Sequence, residues 1–363
     1  MCGIAGIVGG RVSRATIENM VAVQSHRGPD ASSAYINTER GVALGHCRLS
    51  VLDLSDSSNQ PMWSQDGRFV IVFNGEIYNY LELKEELSDY CFQSAGDTEV
   101  ILAAYHAWGR ECLKRFIGIF AFAIWDSVSG ELFCARDHLG VKPFYYHNSN
   151  TTFVFASEIK ALLNYGVQSK VNDRILWSYL CEGVYDHSRE TFFDGIHALE
   201  PGSWILVKAG NLVQEQRYWS LPAIVEQTEG QLLGEEEAGH KLRELLHDAV
   251  RLQIRSDVPL GIHLTGGLDS SALLWCVRQH IDDSSQIRAF TGAYDDPSYD
   301  EVPFALAAAE SACSILHKTA RIHPHEFWEI ASSTQYAQEQ PFGGLPTMVY
   351  WQLESVINAS GIK

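Results

Sequence analysis

Three short stretches of this chain have the residue types and spacing to do chemistry. The first is Cys2, preceded only by Met1. Because the cysteine side chain is small, Met1 is a candidate for removal, which leaves a thiol and a free α-amine on one residue. A thiol with a pKa of about 8.5 needs a proton acceptor, and an α-amine titrating at about 7.7 to 8.0 is close enough to serve. Nucleophile and base would then share a residue. The plainer reading, an ordinary buried cysteine, stays open at this level, whereas a lipid-anchored cysteine needs a longer apolar stretch ahead of it. The second stretch is Asn74-Gly75, which ends the apolar run Phe69-Val70-Ile71-Val72-Phe73. At a strand end, a side-chain amide and a backbone N–H can both point at a developing oxyanion. The same dipeptide is the commonest hairpin turn, but the helical spacing of Tyr80, Leu81, Leu83, Lys84, Glu85 and Leu87 leaves no partner strand after it.

The third stretch, Thr265-Gly266-Gly267-Leu268-Asp269-Ser270-Ser271, reads as a loop between Val258 to Leu264, a buried strand, and Ala272 to Val277, the start of a helix. Strand, glycine-rich loop and helix N-terminus make an anion cradle, because backbone N–H groups point inward and the helix dipole favours negative charge. The Gly-Lys-Ser/Thr ending of a Walker A loop is missing. Hydroxyls at Thr265, Ser270 and Ser271 flank the glycines, and Asp269 is a candidate ligand for a metal ion.

Positioning these stretches calls for two bodies. A chain of 363 residues is expected to hold two domains, each with its own core. The change to Glu, Gln and Gly between Pro222 and Glu237 sets the boundary, giving domains 1–220 and 221–363. A net charge of −18 with no dense Lys/Arg run argues against a nucleic-acid surface, so any anionic ligand must be held by local donors or a metal. The eight cysteines are scattered without a CxxC pair, which argues against a disulfide framework or zinc site and suggests a reducing cytoplasm. No apolar stretch is long enough to span a bilayer and no leader is evident, so neither membrane insertion nor secretion is expected.

In the first half, Gly3 to Gly10, Gly41 to His46, Phe69 to Phe73, Phe116 to Trp125, Glu131 to Ala135, Pro143 to Tyr146 and Thr152 to Phe155 read as strands. Helices are expected at Ala15 to Val23, at Val100 to Trp108 with Asp97 as a reasonable N-cap, and at Ser157 to Leu163. His26-Arg27-Gly28-Pro29-Asp30 is a turn whose Arg27 and Asp30 can pair with each other. The pattern is one of sheets packed in layers with helices outside. Further on, Asn172 caps a helix, and Ser203 to Val207 with Leu212 to Trp219 form a hairpin. Leu242, Leu245, Leu246, Ala249 and Val250 line one helix face. Strands at Arg288 to Tyr294 and Ile315 to Ala320 then alternate with helices at Val302 to Ala312 and Thr347 to Ala359, as in a doubly wound parallel sheet.

Met1-Cys2-Gly3-Ile4, His26-Arg27-Gly28-Pro29-Asp30, Arg48-Leu49-Ser50, Gln60-Pro61-Met62, Phe73-Asn74-Gly75-Glu76-Ile77-Tyr78-Asn79, Gly96-Asp97-Thr98-Glu99 and Ala135-Arg136-Asp137-His138-Leu139-Gly140-Val141-Lys142-Pro143 occur in this order. Together they resemble the glutaminase domain of class II glutamine amidotransferases, and the whole string resembles glutamine-dependent asparagine synthetases. The resemblance implies an α+β N-terminal-nucleophile hydrolase fold, a four-layer αββα sandwich. It also implies roles: Cys2 attacks the side-chain amide of glutamine, and Asn74 and Gly75 hold the oxyanion. Arg48 takes the α-carboxylate, Asp97 with Gly75-Glu76 takes the α-ammonium, and Leu49, Ser50, Val51 and Leu52 complete the pocket. Cys47 departs from the larger polar residue usual before this arginine.

The loop from Thr265 to Ser271 resembles the pyrophosphate loop of ATP pyrophosphatases, with Thr265 in place of the usual serine. It implies an α/β doubly wound, adenine-nucleotide α-hydrolase-like second domain that is incomplete here. ATP and Mg²⁺ are the implied substrate and cofactor. Thr265, Gly266, Gly267, Asp269, Ser270 and Ser271 would hold pyrophosphate, Leu264 and Gly292 would contact adenosine, Asp269 would hold Mg²⁺, and Asp300 would be an acidic residue nearby. The expected reaction amidates an acyl-adenylate, with aspartate as the first choice of acceptor and another carboxylate as the alternative. A bare glutaminase or regulatory subunit is the third reading. A homodimer, or a separate chain supplying the rest of the second domain, is the expected partner.

Overall fold

The computed structural model describes residues 1–10, 12–228, 233–281, 287–312, 316–321 and 323–363. The chain divides into two compact units, Met1–Glu229 and Gly230–Lys363. Strands of the first unit are β1 (Gly3–Gly9), β2 (Ala31–Asn37), β3 (Val42–Arg48), β4 (Met62–Trp63), β5 (Phe69–Ile77), β6 (Gly118–Asp126), β7 (Glu131–Arg136), β8 (Tyr145–Asn148), β9 (Thr152–Ala156), β10 (His197–Ala198), β11 (Ser203–Lys208) and β12 (Asn211–Arg217). Its helices are α1 (Arg14–Ala22), α2 (Tyr80–Glu86), α3 (Thr98–Trp108), α4 (Ile159–Tyr165), α5 (Asp173–Glu182) and α6 (Leu221–Thr228).

The strands form two six-stranded antiparallel sheets, ordered β10-β8-β9-β1-β3-β2 and β12-β11-β7-β6-β5-β4. Side-chain alternation builds the layers. From β1, Ile4 and Val8 face the other sheet, meeting Val70 and Val72 of β5 and Ala121 and Ala123 of β6. Ala5 and Ile7 face outward onto Ile17 and Met20 of α1 and Leu162 of α4. Likewise Ile71 and Phe73 of β5 turn outward onto Val100 to Ala104 of α3 and Leu83 of α2. Helix, sheet, sheet and helix therefore stack in that order, the αββα sandwich of N-terminal-nucleophile hydrolases. Strands buried on both faces explain why Phe69 to Phe73 is apolar at every position. Gly6 lets the layers close, since a Cβ there would stand 2.2 Å from the Phe155 ring.

The second unit holds α7 (Glu235–Gln253), β13 (Leu260–His263), α8 (Leu268–Arg278), β14 (Ile287–Ala293), α9 (Val302–Ser311), β15 (Leu316–Arg321), α10 (Phe327–Gln338) and α11 (Leu345–Ala359). The three strands are parallel, in the order β13-β14-β15. Ile287 and Ala289 of β14 pack on Leu274 of α8 and Ala305 and Ala309 of α9, while Phe290 packs the other way onto Leu353 and Ile357 of α11. Helices thus cover both faces, as a doubly wound sheet requires.

Two expectations change here. Among the described residues β13 pairs with β14 alone, which makes it a half-exposed edge strand. On α7, Leu242 and Leu245 are 67% and 58% exposed, so only the end near Val250 is a core face. The expected strand start at Ile315 and part of the expected boundary stretch, 229–232, lie outside the described residues.

Candidate active site

Cys2 stands immediately before β1, where the chain enters the sheet beside the exit of β3. Its Sγ lies 3.4 Å from the Leu49 N–H that donates to it and 3.7 Å from the Leu49 carbonyl, to which the thiol donates. Burial pushes the thiol pKa up, and the Leu49 N–H opposes that by favouring the thiolate. Burial also pulls the Met1 amine down to about 6. At neutral pH the Met1 amine is therefore mostly uncharged in this buried setting. The Cys2 carbonyl accepts from Arg27 Nε at 2.9 Å.

Asn74 and Gly75 do not end their strand. β5 runs on to Ile77, pairing Asn74 with Ala121 and Gly75 with Phe120 of β6, which rules out the hairpin turn and the strand end alike. The reason is partners 47 and 45 residues ahead, with two helices between. A Cβ on Gly75 would stand 2.2 Å from the Ile119 carbonyl, so this register needs glycine. Asn74 is 1% exposed, yet neither its Oδ1 nor its Nδ2 has a partner among the described residues. An unpaired buried polar group costs about 1–3 kcal/mol, so this carboxamide is kept at a cost to the fold. The preceding residue is fixed by His46, whose Nε2–H donates to the Phe73 carbonyl at 3.1 Å. Burial lowers the His46 pKa to about 3, so the ring is neutral.

Asp97 occupies the N-cap position of α3 but its side chain makes no capping bond. Its Oδ2 accepts instead from Ile77 N–H at 2.9 Å, next to Glu76. Burial raises the Asp97 carboxyl to about 6, and burial followed by the charge of Asp97 raises Glu76 to about 7. Two carboxyls raised by burial, with lysine charge only partly offsetting it, are what a bound ammonium would relieve. Lys142 is buried near them; burial lowers its pKa and the charges of Glu76 and Cys2 partly restore it.

Arg48 is buried and faces a loop. Its Nη1 donates to Ser55 O at 2.7 Å and Asn59 Oδ1 at 2.9 Å, and its Nη2 donates to Leu52 O at 3.4 Å and to Asp53 O. All four Nη hydrogens are engaged. Ser50 N–H donates to Asp30 Oδ2 at 2.8 Å, and Arg27 bonds Glu158, so the expected Arg27–Asp30 pair is replaced by two longer-range ones. Val51 and Leu52 are half-buried beside them. Cys47 does not disturb Arg48: its thiol points to the α1 side and donates to Gln24 O at 3.3 Å.

In the second unit, Leu264 is buried, with its N–H on Phe290 O at 2.8 Å and its carbonyl accepting from Thr291 Oγ1. Gly266 has φ +75°, and a Cβ on it would meet Phe304 at 2.4 Å. Gly267 is the N-cap of α8, which begins at Leu268. Asp269, Ser270 and Ser271 therefore lie in the first helical turn, not in the loop as expected. Ser270 Oγ accepts from Thr265 N–H at 3.2 Å and lies 3.1 Å from Thr265 Oγ1, to which Gly267 N–H donates at 3.2 Å. Asp269 is exposed, and among the described residues no three His, Cys, Asp or Glu side chains gather as a metal site. Gly292, at the end of β14, would place a Cβ 3.0 Å from Val349, and Asp300 Oδ1 accepts from Tyr294 N–H at 3.4 Å.

The sequence model of a glutamine amidotransferase domain matches residues 1–219, and that of asparagine synthase matches residues 241–363. A putative glutamine-hydrolysing asparagine synthetase of Methanocaldococcus jannaschii is 34% identical over 376 residues, covering 96% of this chain and 70% of that protein. The chain belongs to the glutamine-hydrolysing asparagine synthetase family. Asparagine synthetase 1 of Bacillus subtilis is 32% identical, covering 90% of this chain and 51% of the relative, and the amidase chry2 of Gibberella zeae is 29% identical, covering 96% and 53%. The chain thus spans about half the length of these last two. Within this asparagine synthetase-family chain, the structure adds residues that sequence reasoning missed: His46 behind Asn74, Lys142 near Glu76, and Glu158 behind Arg27.

Proposed function

We propose that the first unit hydrolyses glutamine at Cys2 and that the second activates a carboxylate with ATP to receive the ammonia. The buried carboxamide of Asn74, without a partner among the described residues, carries this reading, because a donor left empty in the resting fold is matched to charge that appears only during reaction. Cys2 Sγ attacks the side-chain amide carbon of glutamine, and the α-amine of Cys2, freed by removal of Met1, takes the thiol proton. Asn74 Nδ2 and Gly75 N–H receive the oxyanion. Collapse breaks the C–N bond, and the amine returns the proton to the departing ammonia. Water then cleaves the thioester to glutamate. Asp97 and Glu76 receive the α-ammonium and ionise as it binds. The α-carboxylate goes to Arg48, which must draw Nη groups off the loop at 52–59 to hold it bidentately.

In the second unit, backbone N–H groups at Gly266 and Gly267 and the hydroxyls of Thr265, Ser270 and Ser271 would grip pyrophosphate, with Leu264 and Gly292 beside adenosine. A single carboxylate is compatible with Mg²⁺, which is commonly held by one or two carboxylates plus substrate phosphates; Asp269 would hold it, and the ion would spread the phosphate charge. Aspartate is the proposed acceptor, giving asparagine, AMP and pyrophosphate. The likeness to an amidase favours a second reading in which another carboxylate takes the ammonia, and product analysis with a panel of acids separates the two. The test of the whole is glutamate release with Cys2→Ala. The variant should release none while any ammonium-driven conversion of ATP to AMP persists; glutamate release by the variant would overturn the assignment.

A further inference from the structure

One buried ionic cluster is not used by the reaction as described. Glu158 is 6% exposed and stands at the N-cap position of α4, yet its side chain caps nothing. Its Oε1 accepts from Arg27 Nη1 at 3.0 Å and from His26 Nε2 at 2.9 Å, and Lys160 Nζ stands 3.0 Å from Oε2. Burial alone would raise this carboxyl, but the His26 bond and the Arg27 charge bring it down to about 2, so it stays ionised. Arg27 is held at a second point, since its Nε donates to the Cys2 carbonyl at 2.9 Å. Its Nη2 is buried without a partner among the described residues, so Glu158 and Cys2 are the contacts that fix the guanidinium plane. The neighbouring residue ties the same two segments, because Ser157 N–H donates to Ile4 O at 2.9 Å and Ile4 N–H donates to Ser157 Oγ at 3.0 Å.

Chain termini are poorly ordered unless tied down, and Cys2 precedes the first ladder bond of β1. We propose that Glu158 is a positioning residue for Cys2: it locks Arg27, Arg27 holds the Cys2 carbonyl, and the amine and thiol are thereby fixed toward the scissile amide. This rests on Cys2 being the nucleophile. An error of about 1 Å in such placement can cost on the order of a hundredfold in rate.

The test compares Glu158→Gln and Glu158→Asp in the full chain. Glu158→Gln should lower kcat for glutamine hydrolysis about tenfold or more, with KM for glutamine within about twofold, because the substrate-binding groups are untouched. In an Arg27→Ala background it should cost nothing further, since both residues act through one path; additive losses would indicate a merely structural role and overturn the proposal. If Glu158→Gln does not fold, Glu158→Asp keeps the charge beside Arg27 and Lys160 and withdraws it by one methylene. It should lose several-fold in kcat, and wild-type kcat in either folded variant would overturn the proposal. Alkylation of Cys2 by iodoacetamide needs no glutamine and separates this idea from the proposed function. It should slow in both variants even if the parent chain releases no glutamate, and an unchanged alkylation rate would count against the Glu158 link alone.

Discussion

Replacing Asp97 by Asn keeps the shape of a buried side chain and removes its ability to ionise. The Asp97 carboxyl titrates at about 6 in the fold, against 3.8 for the free group, with burial as the main cause. Between those values the folded chain binds more protons than the unfolded one, so stability falls as pH rises through that window and then levels off. The deficit, about two pKa units, is about 3 kcal/mol above pH 7; at 6% exposure little of it is screened. Asparagine avoids this cost, and its Oδ1 can still accept from Ile77 N–H. At pH 8 the variant should therefore be more stable by up to about 3 kcal/mol, a rise of about 6 to 12 °C in the melting temperature for a unit of this size. Near pH 4 the difference should shrink to less than about 1 kcal/mol. Glutamine hydrolysis should move the other way, because the α-ammonium loses an ionic partner. Charged hydrogen bonds contribute about 1.5–3 kcal/mol, a loss of about ten- to 150-fold in kcat/KM. Thermal unfolding followed by circular dichroism at pH 4 and pH 8 reads the first effect, and glutamate release reads the second. A variant that melts below the parent at pH 8 would show that the fold supports the Asp97 charge, and the argument for an ammonium pocket would fail.

Asn74→Ala should lower kcat for glutamine hydrolysis by about 10² to 10³ while melting no lower than the parent, because the carboxamide makes no bond that the fold would miss; a clear loss of stability would refute its reserve role. Asp269→Ala should cut ATP turnover in an assembly competent for it by about tenfold or more and leave glutamine hydrolysis unchanged, as measured by AMP and glutamate formation side by side.

The layers of the first unit were legible because strands packed on both faces must be apolar at every position, which marks Phe69 to Phe73 without any knowledge of their partners. Asn74-Gly75 misled because its turn chemistry is local whereas its pairing with Ala121 and Phe120 is not. Asp97 has the spacing of an N-cap, and only the approach of β5 turns its carboxylate to Ile77. The partners of Arg48 are mostly main-chain oxygens of a loop, and such atoms leave no trace in residue identity. Glu158 was invisible for a further reason: its partner Arg27 lies 131 residues away, a distance over which no periodicity speaks. In the second unit, the cradle was found but its helix begins four residues earlier than expected, since Leu268-Asp269-Ser270-Ser271 reads equally well as loop or first turn.

Glutamine hydrolysis by this chain would rest on the chemistry of its amino terminus. Mass spectrometry of the N-terminal peptide, taken from chain quenched in acid during turnover of glutamine, tests it most directly. The predicted result is a peptide that starts at Cys2, lacks Met1 and carries a glutamyl group on sulfur. Glutamate released at full rate from a chain whose terminus is still Met1, with Cys2 unmodified throughout, would contradict it.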